Sequence, residues 1–222
     1  MTWSAYFTSS VGRKIVMALT GLFLILFLIV HAGVNACIFL NDGGVTFNAA
    51  AHFMSHNYIV RFLEIGLFVF FILHIFQGLA LTFSNQAKRP VKYAVNPGNA
   101  TSKWYSRSMG ILGSLLLIFL VIHLSHFWVG TKVSVYVTGE EHDTFQNMKD
   151  VFANPLVLVI YLVGVISLFW HLVHGFSSAF QTIGVNSPKY NGLIRNAGYV
   201  YSVIICLAFA LMPISIHFGW LQ

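Results

Sequence analysis

Charge is what this sequence has least of: only 8% of its 222 residues are Asp, Glu, Lys or Arg. A water-soluble domain carries about a quarter, so this chain has too little charge to cover a surface facing water, and lipid is the solvent it suits. Acidic residues are the scarcer kind, six against twelve basic ones. The net charge of +6 raises nucleic acid as a partner. The basic residues, however, sit in short clusters beside apolar runs, the pattern of membrane topology and anionic headgroups, and this argues against it. Cysteine is nearly absent. Cys37 and Cys206 fall at different depths in the topology below, which argues against a disulfide. A cleavable signal peptide is not expected, because the first apolar run is too long for one and lacks a small-x-small cleavage site.

Apolar residues make up 57% of the chain, and aromatics 16%, led by 21 Phe. A membrane-spanning helix needs about 20 mostly apolar residues, and five uncharged stretches meet that length. They predict an all-α integral membrane bundle, a single domain over 1–222, with helices over about 14–40, 59–86, 107–130, 155–182 and 197–218. The first four form a four-helix bundle of the kind that holds cofactors in its core. Turn formers separate the spans: Asn41-Asp42-Gly43-Gly44, Asn96-Pro97-Gly98-Asn99 and Asn186-Ser187-Pro188. Pro155 suits the first turn of the fourth helix.

Charge sets the direction. Arg13, Lys14, Lys88, Arg89, Lys92, Lys103, Arg107, Lys189 and Arg195 fall on one side with no acid among them. Asp42, Glu64, Glu140, Glu141, Asp143 and Asp150 fall on the other, with only Arg61, Lys132 and Lys149. The positive-inside rule then puts the N-terminus in the cytoplasm and the C-terminus outside.

Ten histidines are many for such a chain. His31 lies within the first helix, His74 in the second, His123 and His126 in the third, and His171 and His174 in the fourth. A lone intramembrane histidine is readily explained by a hydrogen bond between helices. One or more on each of four consecutive helices is not, and ionisable groups in lipid are usually functional. At 1.5 Å of rise per residue, His31 and His123 fall in the outer half of the membrane, and His74 and His174 in the inner half. Two histidines at one depth on different helices are what axial ligation of a haem requires. Small neighbours (Ala32-Gly33, Gly78, Gly175) leave room for a flat ring. A dinuclear metal centre usually draws on carboxylates, and Glu64 is the sole acid near a span. Spacing alone leaves His126 and His171 open as alternatives to His123 and His174, since each pair lies at i and i+3 on roughly one face.

These residues bring the chain close to a known family. Thr20-Gly21-Leu22-Phe23-Leu24, Leu26-Phe27, His31 and Asn35 in the first helix resemble the cytochrome b membrane-anchor subunit of succinate:quinone oxidoreductases (complex II). So do His74 and Gly78 before Lys88-Arg89-Pro90, His123-Leu124 before Phe127-Trp128, and His174-Gly175 with Ser177. The likeness is to the class with one anchor polypeptide and two haems, shared with quinol:fumarate reductases, and it runs from Arg13 to about Gly184.

The resemblance implies two haem b, held by His31 with His123 and by His74 with His174. It implies a flavoprotein and an iron–sulfur subunit docked on the cytoplasmic face of a bacterial inner membrane. A quinone, with menaquinone the expected species, would react in the membrane. Succinate or fumarate, a couple of the tricarboxylic acid cycle, would react on another chain. Some fumarate reductases of this class carry an acid two residues before the fourth-helix ligand; here Leu172 stands there, so that proton path is not expected. Arg13, Lys14 and Arg107 are candidate partners for haem propionates. Glu64, which could pair locally with Arg61, is the candidate for proton exchange at a quinone. Two other readings fit fewer residues: a hydrogenase or formate dehydrogenase cytochrome b, and a histidine-relay transporter without haem.

Overall fold

The computed structural model describes residues 9–87, 102–139 and 142–221. The basic exit Lys88-Arg89-Pro90, Lys92 and the acids Glu140 and Glu141 lie outside them. Every element among the described residues is helical. Five helices are long and apolar enough to cross a membrane: Ser10–Leu40, Tyr58–Ala87, Met109–Thr138, Pro155–Thr182 and Pro188–His217.

The first span begins as α1 (Ser10–Asn35), where the Ser9 side chain accepts from the Gly12 N–H at 3.0 Å and so caps the helix. It tightens into a 3-10 turn over Ala36–Leu40. Asn41, in left-handed backbone at φ 52°, closes that turn. A short helix, α2 (Val45–His56), leads into the second span, α3 (Tyr58–Ala87). The third span, α4 (Met109–Thr138), follows a single turn at Trp104–Arg107. Another short helix, α5 (Thr144–Ala153), precedes the fourth span, α6 (Pro155–Thr182). Asn154 caps α6, accepting from the Leu156 N–H at 2.9 Å, with Pro155 in the first turn. The fifth span is α7 (Pro188–His217).

Two helices run past the stretches the sequence marks. α7 starts at Pro188 rather than near 197, because proline is pre-shaped for a first helical turn. Lys189 and Arg195 ride on its early turns, where hydropathy has no power to detect a helix. α4 continues past residue 130 to Thr138 by way of two π turns, Leu124–Trp128 and Ser134–Thr138. Lys132 and Tyr136 lie on that extension.

Packing is uneven. α6 and α7 supply most of the buried residues, whereas α3 supplies none. One core joins Ile25, Ala32, Val165, Leu172, Ile205 and Cys206 along α1, α6 and α7. The other gathers Ile38, Phe47, Phe145, Met148, Phe152, Tyr161, Met212 and Ile216 at the end of the bundle that carries the acidic residues. There α2 and α5 pack together, tied by Asn48, which donates to Asp143 and accepts from the Phe145 N–H, both at 2.9 Å. Exposed Leu26, Phe62, Ile65, Phe76 and Phe83 give the outer face of the spans an apolar surface suited to hydrocarbon.

Candidate cofactor sites between the spans

His31 of α1 and His123 of α4 meet in the half of the bundle nearer its acidic end. Their ring centres are 5.7 Å apart and their planes stand at 88°. Aromatic rings surround them: Phe27 and Phe209 against His31, and Phe119, Phe127 and Tyr161 against His123. α4 and α6 approach closely here because residue 164 is glycine. A Cβ on Gly164 would come 2.5 Å from the Phe119 ring. Asn35, one turn after His31, donates to the His31 carbonyl at 2.8 Å, with its amide 3.5 Å from His31 Nδ1.

In the half nearer the basic end, His74 of α3 faces His171 of α6, ring centres 6.1 Å apart at 65°. The register resemblance singled out His174 for this pair. The structure instead brings the His174 ring toward Tyr105, at 6.4 Å. The fourth helix turns His171 inward at the depth of His74, and His174 lies one turn nearer the basic end. Thr20 and Gly21 of α1 hold the His74 ring. The Thr20 hydroxyl donates its proton to the Val16 and Met17 carbonyls, 2.8 and 3.1 Å away, so the oxygen is left to accept from His74 Nδ1 at 3.2 Å. With the ring proton on Nδ1, that contact is a hydrogen bond to the hydroxyl oxygen and Nε2 keeps the lone pair that a metal-ligating histidine needs. A Cβ on Gly21 would press to 3.4 Å from the His74 ring.

Both pairs suit an iron between two imidazoles. Two metal–nitrogen bonds of about 2 Å, together with the two ring radii, separate ring centres by roughly 6 Å. The Nδ1 atoms of His123 and His171 are buried without a hydrogen-bond partner among the described residues. Among the described residues no three of His, Cys, Asp and Glu converge as a metal cluster. What the spans bring together at each level is a pair of imidazoles.

The three basic candidates have different surroundings. Arg13 Nε, Gln77 Oε1 and Ser177 Oγ are buried without a partner among the described residues. Lys14 lines an open cleft of about 280 Å³ with Ser178, Gln181 and Thr182. Arg107 donates to the Ser102 carbonyl.

Glu64 does not pair with Arg61. It accepts from Lys132 Nζ at 2.7 Å and from Trp128 Nε1 at 2.6 Å, and so joins α3 to the extension of α4. Arg61 donates instead to the Ser55 carbonyl at 3.1 Å, its guanidinium over the Tyr58 and Tyr136 rings. Sequence spacing could not find the Lys132 partner, 68 residues away.

A cavity of about 570 Å³ opens beside this region, lined by His52, His56, Thr131, Ser134, His142 and Asp143 among others. Hydrogen bonds from the Gln146 N–H and the Asn48 amide hold the Asp143 carboxyl below its usual pKa. The Thr46 hydroxyl, 2.5 Å away, does the same for Asp42.

No protein-family model and no solved structure matches the chain. It is similar to the succinate dehydrogenase cytochrome b558 subunit of Bacillus subtilis (strain 168), with 29% identity over 197 residues, 88% of this chain and 89% of that protein. Motif order in four histidine-bearing spans and this near full-length similarity point the same way: the chain resembles a succinate dehydrogenase cytochrome b subunit.

Proposed function

We propose that the chain is the membrane anchor of a succinate:quinone oxidoreductase, with two b haems. A haem in each histidine pair supplies a one-electron carrier between an iron–sulfur subunit at the basic end and a quinone toward the acidic end. The observation that carries this reading is the pair of imidazole facings, 5.7 Å at His31/His123 and 6.1 Å at His74/His171, on four spans at two depths.

His31 and His123 are the proposed outer ligands, and His74 and His171 the proposed inner ones. His171 displaces His174 from the proposal because its ring, not that of His174, faces His74. Thr20 holds His74 at Nδ1. Arg13, whose Nε has no partner among the described residues, is the first choice for a propionate partner; Lys14 and Arg107 lie nearer the surface. The N-terminus and the acid-free face belong to the cytoplasm, where the flavoprotein and iron–sulfur subunits dock. The succinate or fumarate chemistry takes place on those partners.

Glu64 is the proposed proton-exchanging group at the quinone. It sits level with Trp128, which lies about 7 Å along the helix from His123 at 1.5 Å per residue. Lys132 and Trp128 hold its carboxylate in place.

A pyridine haemochrome assay on the purified complex tests the reading, with two haems per chain expected. One haem, or none, overturns it. Copurification of a flavoprotein and an iron–sulfur subunit on the cytoplasmic side separates it from a hydrogenase or formate dehydrogenase cytochrome.

A further inference from the structure

The third span departs from α geometry immediately after His123. A π turn over Leu124–Trp128 inserts one extra residue into the helix, and π turns concentrate at functional sites. In an unbroken α-helix, His123 and Trp128 lie about 140° apart at 3.6 residues per turn. The wider turn reduces that angle. It lets His123 face α1 while Trp128 and Lys132 both reach Glu64 on α3.

A π turn loosens the carbonyl ladder, and side chains take up the carbonyls around this one. Ser125 donates to the Ile122 carbonyl at 2.7 Å and Thr131 to the Phe127 carbonyl at 2.9 Å, both from within the span. The His126 carbonyl instead accepts from the Asn147 amide at 3.0 Å, and Asn147 belongs to α5. α5 is itself anchored by buried Phe145, Met148 and Phe152, and by His217, whose Nδ1 lies 2.7 Å from the Phe152 carbonyl. The His126 ring is held as well: its Nδ1 lies 3.1 Å from the Tyr161 hydroxyl, and the two rings stack 5.9 Å apart at 9°. Tyr161 in turn packs against the His123 ring.

We propose that Asn147 is a positioning residue: its amide latches the π turn after His123 to the α5 cap and so fixes the orientation of the His123 imidazole. Asn147 touches neither histidine ring of the pair; it acts through the His126 backbone. The inference rests on the reading of His123 as a haem ligand and adds to it what sets the direction of that ligand.

The test uses the assembled, haem-loaded complex carrying Asn147→Leu, which removes the donor at similar size, and Asn147→Gln, which keeps one. The readouts are the low-spin EPR signals and a redox titration of each haem, the outer one being identified as the haem lost in His123→Ala. Asn147→Leu should shift the EPR signal and midpoint potential of the outer haem alone, and Asn147→Gln should return them toward wild type. Should Asn147→Leu fail to assemble, Tyr161→Phe removes the second tie and should shift the same signal by less. Unchanged spectra and potentials, or equal shifts in both haems, overturn the inference. A wild-type complex without a haem that depends on His123 overturns the parent reading instead, and the inference with it.

Discussion

The two histidine pairs sit in unlike halves of the molecule. His31 and His123 are ringed by Phe27, Phe119, Phe127, Tyr161 and Phe209, and α5 closes the bundle beyond them with Phe145, Met148 and Phe152. His74 and His171 have a hydroxyl and a glycine of α1 for neighbours, and nearer the basic end the buried polar atoms Arg13 Nε, Gln77 Oε1 and Ser177 Oγ have no partner among the described residues. Packing and cross-links dominate the first half, although His123 Nδ1 and His142 Nε2 there lack a partner among the described residues. More of the buried polar atoms in that state lie in the second half, the end that faces the basic loops. A buried polar group without a partner costs about 1–3 kcal/mol, so groups retained in that state point to something that satisfies them.

The largest expected effect separates the pairs by ligand. His123→Ala and His171→Ala should each remove one haem of two while the other remains, and His174→Ala should keep both. A haemochrome count on the three variants decides this, and loss in His174→Ala with retention in His171→Ala would restore the register-based pairing. Next comes the cap: Phe152→Ala should destabilise the acidic half by about 3–5 kcal/mol, the usual cost of emptying a buried aromatic site. Spectra during thermal unfolding should then show the outer haem released before the inner one, and simultaneous release would mean the halves do not differ in this way.

Glu64→Gln should leave both haems and assembly intact but slow succinate:quinone turnover severely, with succinate reduction of a dye that bypasses the membrane subunit unchanged. Equal turnover would remove Glu64 from proton exchange, and loss of both activities would make the Lys132 pair purely structural. At the basic end, Arg13→Leu should move the inner haem's midpoint potential and leave its absorbance alone, whereas Arg107→Leu should move it less. A flat redox titration for both would assign these cations to headgroups and topology.

The smallest effect belongs to the outer surface. Asp143 has a lowered carboxyl pKa in the fold, so the stability it contributes is fully present above the ordinary value of about 4 and is lost as pH falls through the lowered native value. Asp143→Asn should flatten that acid limb slightly, as measured by thermal unfolding between pH 5 and 2, roughly the window for such a carboxylate. An identical limb would show that the Asn48 and Gln146 bonds contribute nothing at this exposed site.

The sequence by itself determined that the chain crosses a membrane five times, because apolar runs of sufficient length and a shortage of charge admit no other solvent. It also determined that histidines on four consecutive helices sort to two depths, since rise per residue is a property of the helix alone. Spacing could not choose between His171 and His174, which share a helical face at i and i+3. That choice depends on the rotation of α6 against α3, which packing of α6 on α1 and α7 sets. Nor could it pair Glu64 with Lys132, because a π turn re-aims the end of α4 and local spacing assumes regular geometry. Asn147 on the His126 carbonyl and Thr20 on His74 belong to the same class: contacts between helices far apart in sequence, decided only when side chains of fixed depth are rotated into one another by the tertiary fold.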